Sequence, residues 1–277
     1  MMEITEDRFL NFFRLDERFP HILCPGCGIG TIMSTMVRAF IDLNINQDEI
    51  CVISGIGCSS RVPGYLDCDT FHTLHGRALP AATGVKLAKP GLKVVVIGGD
   101  GDIMAIGGNH FIHTARRNLD ITTIVVNNFT YGMTGGQYSP TTPTHEKAST
   151  APFGNVERSF DVCFIAKAAG AMFVARSTTF HVAHLKKMIE LALKKRGFSV
   201  VEVISQCPTY YGRYQGIGDA VKMLQWLKSR SIDVSKVADP WQVKDKFVIG
   251  VLHDQEDVPP YTQLYQSLRK RARNEKD

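Results

Sequence analysis

"LKVVVIGGDGDIMAIGGNH", residues 92–110, decides how this chain folds. Val94 to Ile97 form an unbroken β-branched run, which predicts a strand buried on both faces. Gly98, Gly99 and Gly101 then allow a tight turn and close backbone approach. A helix in "GGNHFIHTARRN" (107–118) follows, and its N-terminus offers free N–H groups near Asp100 and Asp102. The stretch is a strand–turn–helix unit with two acids on its turn.

The same pattern repeats on either side. "GIGTIMSTMVRAFIDL" (28–43) places Ile32, Met36, Phe40 and Ile41 at helical spacing, and "EICVISGIG" (49–57) is a strand entering a glycine turn. "RALPAATGVKLA" (77–88) reads as a helix and "ITTIVVNN" (121–128) as a strand. Further on come the Gly/Pro/Thr-rich loop 131–152, "AMFVARS" (171–177), "HVAHLKKMIELALKKRG" (181–197) and the strand "FSVVEVIS" (198–205). Buried strands alternating with helices predict an α/β fold: a doubly wound, mostly parallel sheet with helices on both faces. Such sheets bind ligands at the carboxyl ends of their strands, where Gly55–Ser59, Gly99–Asp102 and Asn127–Gln137 all fall. We expect one domain over 1–216 and a C-terminal extension over 217–277 that packs on it or on a partner subunit.

Net charge is +5 and the basic residues gather late, in "HLKKMIELALKKRG" and "SLRKRARNEKD". A solvated helix face and a basic tail account for them better than nucleic-acid binding, and clustered charge can also steer an acidic protein partner. No apolar run is long enough to cross a bilayer, and the acidic, amphipathic start does not resemble an export signal, so a cytoplasmic protein is expected. The seven cysteines are an odd number. A reducing cytosol disfavours disulfides, and metal ligation or catalysis becomes the better reading of any paired set.

Asp100 and Asp102 would repel a bare diphosphate, and a divalent cation bridging carboxylate and phosphate removes the conflict. On the next strand end, Asn128 can supply an amide oxygen and Thr130 its backbone carbonyl. With Asp100, two phosphate oxygens and a water, they complete an octahedral oxygen shell suited to Mg²⁺. Helix capping and turn formation are the competing explanation for either motif alone.

GDG followed some thirty residues later by NN, then "YGMTGGQ" (131–137), resembles the 2-oxoacid:ferredoxin oxidoreductases. The likeness runs from "CPGCG" (24–28) to "QCPTYYGR" (206–213) and is to the beta subunit, nearest to 2-oxoglutarate members. It implies the thiamine diphosphate-binding fold, with Asp100, Asn128 and Thr130 on Mg²⁺. Gly101, Asp102, Gly132 and Met133 would line the diphosphate and thiazolium, together with Ile56, Gly57, Cys58 and Ser59. It also implies that Cys24, Cys27, Cys58 and Cys207 hold one 4Fe–4S cluster. From the residues alone, a zinc site or a redox dithiol at Cys24 and Cys27 stays open, although zinc sites normally bring two CxxC pairs. Cys51, Cys68 and Cys163 are assigned to packing.

The implied activity is oxidative decarboxylation of a 2-oxoacid, with the acyl group passed to coenzyme A and electrons passed through the cluster to ferredoxin. His75 matches a family histidine beside the cofactor, with a proton-transfer role or a structural hydrogen bond. Arg61 could clamp a substrate carboxylate. The glutamate that activates thiamine diphosphate has no candidate here. In the family it comes from the alpha subunit, so an alpha–beta pair, doubled to alpha2–beta2, is expected. A beta subunit acting on pyruvate or another 2-oxoacid, a cluster-free thiamine decarboxylase component and a non-catalytic phosphate-binding module are the alternatives.

Overall fold

A computed structural model describes residues 6–256 and 258–274. Eight strands form one sheet: β1 Ile50–Ser54, β2 Asp69–His72, β3 Lys93–Gly99, β4 Thr122–Asn127, β5 Phe173–Thr178, β6 Ser199–Ile204, β7 Ser231–Asp233 and β8 Phe247–Asp254. Their order is β2-β1-β3-β4-β6-β5-β8-β7. The first six in that order run parallel, and β8 joins β5 antiparallel. Strands β1, β4, β5 and β6 are buried along their whole length. Alternate residues therefore feed two apolar layers.

One layer packs Val52, Val95 and Val203 against the helices Gly28–Asp42 and Val182–Lys194. The other packs Val96, Val125 and Val200 against the helices Ala78–Ala88, Gly108–Arg116 and Val162–Ala168. The doubly wound α/β architecture expected from the strand–helix alternation is the one observed. The segment 217–277 does more than pack on the domain. It supplies the helix Ala220–Arg230, extends the sheet with β7 and β8, and ends in the helix Tyr261–Asn274.

The strand order reverses between β1 and β3, and at such a switch point the loops diverge and leave a crevice. The turns after β1, β3, β4 and β6 all open at this end of the sheet. They carry the glycine, acid, amide and cysteine motifs.

Candidate active site

After β3 the backbone enters a wide π-type turn, Gly101–Ile106. Gly101 is required there, because a Cβ would lie 2.1 Å from the ring of Tyr131. The turn buries Asp100, whose Oδ2 accepts hydrogen bonds from the hydroxyls of Ser139 (2.6 Å) and Thr141. Burial pushes the Asp100 carboxyl up to about 6, with the two hydroxyls opposing the rise. A buried acid with its remaining oxygen uncommitted to any charged partner suits an incoming cation.

Strand β4 ends at Asn127. Asn128 Oδ1 accepts from the Thr130 N–H at 3.3 Å, and Phe129 between them adopts φ +61°. That conformation is strained for a bulky residue. Packing of the Phe129 ring on Tyr211, Trp226 and Phe247 holds it. Among the described residues none donates a hydrogen bond to the Thr130 carbonyl. Asp100, Asn128 and Thr130 line one cavity together with Gly101, Asp102, Gly132 and Met133, and with the β1 turn Ile56–Ser59 and His75. The structure thus brings together all the residues expected to face the cofactor and its metal.

Asp102 has a further part that its sequence position does not reveal. Its Oδ1 takes hydrogen bonds from the N–H of Ile56 (3.1 Å) and of Gly76 (2.8 Å), and meets His75 Nδ1 at 2.6 Å. One carboxylate ties the β1 turn and the His75 turn to the β3 turn. Pairing through Nδ1 leaves His75 Nε2 as the ring nitrogen free for chemistry in the cavity. Asp102 Oδ2 is buried without a hydrogen-bond partner among the described residues.

A second cavity shares the wall formed by Ile29, Cys58, Asn128, Gly132 and Met133. Cys24, Cys27, Cys58 and Cys207 line it, with Arg61 at its exposed rim. The turn Cys24–Cys27 is pinned to the end of β6, since Gly28 N donates to the Gln206 carbonyl (3.2 Å) and Gln206 Nε2 to that of Gly26 (3.1 Å). A Cβ on Gly132 would sit 3.4 Å from the sulfur of Cys58 and 3.9 Å from that of Cys207, so the glycine leaves room between loop and thiols.

Burial pushes the Cys27 thiol up to about 12 and that of Cys58 up to about 11, and it raises Cys207 as well. No three of the four sulfurs lie within 4.8 Å of one another among the described residues. The backbone N–H groups of Tyr210 and Tyr211 point at the Cys207 sulfur, and that of Ile29 at Cys27, as donors for thiolates.

Of the cysteines assigned to packing, Cys51 and Cys163 are buried in the second apolar layer and Cys68 packs against the first. Sequence reasoning missed Ser139 and Thr141 against Asp100, because hydroxyl residues in a Thr-rich loop carry no distinguishing signal.

Residues 55–203 match the model of the thiamine pyrophosphate enzyme family's C-terminal TPP binding domain. The 2-oxoglutarate synthase subunit KorB of Methanocaldococcus jannaschii is 49% identical over 94% of this chain and 97% of that protein. The 2-oxoacid:ferredoxin oxidoreductase subunit beta of a Sulfolobus species is 34% identical over 86% and 83%. Among solved structures, the 2-oxoglutarate:ferredoxin oxidoreductase from Magnetococcus marinus, with 2-oxoglutarate, coenzyme A and succinyl-CoA bound, superposes with a TM-score of 0.87. It is 32% identical and covers 98% of this chain and 92% of that one. The two cavities, one lined by oxygen donors and one by thiols, therefore sit in a chain that belongs to the 2-oxoacid:ferredoxin oxidoreductase beta-subunit family, among the 2-oxoglutarate synthase KorB subunits.

Proposed function

We propose that this chain is the beta subunit of a 2-oxoglutarate:ferredoxin oxidoreductase, forming succinyl-CoA and CO₂ and passing two electrons to ferredoxin. The observation that carries the reading is the shared wall: Cys58, Asn128 and Gly132 face both cavities. Bound thiamine diphosphate supplies the electron sink for decarboxylation, and a 4Fe–4S cluster supplies one-electron steps. Asp100, Asn128 and the Thr130 carbonyl hold Mg²⁺ against the diphosphate. His75, oriented by Asp102, holds or moves a proton at Nε2. Cys24, Cys27, Cys58 and Cys207 would hold the cluster, with Cys24 exposed at the surface a docked ferredoxin would meet.

No glutamate lines the cofactor cavity among the described residues. An alpha subunit supplies the activating glutamate and much of the coenzyme A site, in an alpha2–beta2 assembly. No described helix is long and apolar enough to cross a membrane, and we place the enzyme in the cytoplasm. Residues 1–216 form the catalytic unit and 217–277 an extension fused to its sheet.

Coexpression with the alpha partner, followed by anaerobic assay with 2-oxoglutarate, coenzyme A and ferredoxin, tests this. Two reduced ferredoxin clusters should appear per succinyl-CoA, because the reaction releases two electrons and each cluster accepts one. Succinyl-CoA formed without ferredoxin reduction would contradict the proposal. In the same assay, Arg61→Ala should lower 2-oxoglutarate turnover about tenfold or more, as loss of a charge-assisted bond does. Pyruvate turnover should be much less affected, and equal losses on both would remove Arg61 from substrate selection.

The Asp100 carboxyl also sets a pH dependence. Its folded value of about 6 lies above the ordinary 3.8, so the cofactor-free protein keeps a proton the unfolded chain has released between those limits. Cofactor-free stability therefore falls as pH rises through that window. Mg²⁺ needs the ionised form, so its affinity should fall about tenfold per pH unit below pH 6 and level off above it. Mg²⁺ titration from pH 5 to 7.5 reads the slope, and a flat profile would contradict the role given to Asp100.

A further inference from the structure

Through the apolar layer around Val125, Val174 and Val200 runs a row of polar groups that the reaction above does not use. Arg176 on β5 and Glu202 on β6 are partners in register, both buried, with Arg176 Nε donating to Glu202 Oε2 at 2.6 Å. Arg176 Nη2 donates to Asp161 Oδ1 at 2.7 Å, and the Cys163 thiol donates to Glu202 Oε2 at 3.2 Å. Ligand atoms of Asp161, Cys163 and Glu202 lie within 4.8 Å of one another. The guanidinium already bonds both carboxylates, so this is an ion-pair centre and not a cation site.

The other end of the row reaches the active site. Glu202 Oε1 accepts from Asn127 Nδ2 at 2.8 Å. Asn127 Oδ1 accepts from the Phe129 N–H at 3.2 Å and meets the Thr141 hydroxyl at 2.9 Å. That hydroxyl has one proton to give, either to Asn127 Oδ1 or to Asp100 Oδ2, and its oxygen touches both groups. A single amide thus touches both arms of the metal site: Asp100 through Thr141, and the Asn128–Thr130 turn through strained Phe129.

A buried ion pair is often no more stabilising than apolar residues of similar volume, so stability alone does not account for the row. What the carboxylate supplies is direction. It only accepts hydrogen bonds, so the Asn127 amide must turn its NH₂ toward Glu202 and its oxygen toward Phe129 and Thr141. We propose that Glu202, paired with Arg176, is a positioning residue that acts through Asn127 and Thr141 to hold Asp100 and the Asn128–Thr130 turn for Mg²⁺. The proposal rests on the metal-site reading given above.

The test uses the complete alpha–beta complex and isothermal titration of thiamine diphosphate at graded Mg²⁺, alongside the melting temperature without cofactor. The variants are Thr141→Val, Thr141→Ser and the double apolar replacement Arg176→Met with Glu202→Met. Thr141→Val and the double variant should each raise the half-saturating Mg²⁺ about tenfold, the scale on which outer-shell partners act. Thr141→Ser, which keeps the hydroxyl, should stay near wild type. Combining Thr141→Val with the double variant should add little, because both act along one path. An unchanged Mg²⁺ requirement in Thr141→Val or in the double variant, while Asp100→Asn raises it, overturns the proposal and leaves the row a structural element. If Asp100→Asn also changes nothing, the metal-site reading itself is wrong. Should the double variant fail to fold, Glu202→Gln is read in its place, and an unchanged Mg²⁺ requirement there overturns the proposal.

Discussion

Cys207→Ser should abolish ferredoxin reduction while leaving Mg²⁺-dependent binding of thiamine diphosphate close to wild type. Cys207 is buried at the end of β6 and lines the thiol cavity but not the oxygen-donor cavity. Serine is nearly isosteric, so the fold around it has no cavity to collapse. What changes is the donor: an alcohol holds iron far less well than a thiolate. Iron per chain should fall from about four to three or fewer, since one corner of a cubane depends on each cysteine. The same substitution at Cys163, which is buried in the second apolar layer, should leave the iron content unchanged. Loss of iron in both variants would mean that the thiols near Cys207 are not special.

Asp100→Ala should remove the cofactor while sparing the cluster. The side chain is buried, and the hydroxyls of Ser139 and Thr141 that bond it can satisfy each other at 3.1 and 2.9 Å contacts to one another and to Asn127. Folding therefore survives, and the cofactor-free protein should even gain stability above pH 6, where wild type must bury an ionised carboxylate. Affinity for thiamine diphosphate at fixed Mg²⁺ should drop at least a hundredfold, beyond the roughly 10–100-fold effect of outer-shell changes. Calorimetric titration of the purified complex measures it, with iron content as the control. Retained affinity would remove Asp100 from the metal shell.

The parts of this molecule legible in its sequence are those whose chemistry is local. Strands β3, β4 and β6 announce themselves as buried β-branched runs, and the glycines of "GGDGD" and "SGIG" mark where the chain must turn closely. β2 was not legible, because Asp69–His72 is a largely exposed edge strand with no apolar run. β8 was missed because it pairs with the distant β5, with an irregular register at Val174 and Ala175, and β7 because its three residues pair with β8. In the site, GDG and NN stand out as a pair on two strand ends at a set spacing, since either alone reads as ordinary cap or turn chemistry. The bond from His75 to Asp102 and the hydroxyls on Asp100 exist only once loops from different strands meet. One signal was available and unused: Arg176 and Glu202 interrupt two otherwise apolar strands, "FVARST" and "SVVEVI". A charge inside a buried strand needs a partner, and here the partners lead to the active site.

Iron and acid-labile sulfide analysis of the anaerobically purified wild-type complex tests most directly whether thiols and thiamine site form one electron path. The account predicts about four of each per copy of this chain from its four clustered cysteines, brown colour, and loss of the signal on Cys207→Ser. Zinc in that position, or an iron-free chain that still makes succinyl-CoA with reduced ferredoxin, would contradict it.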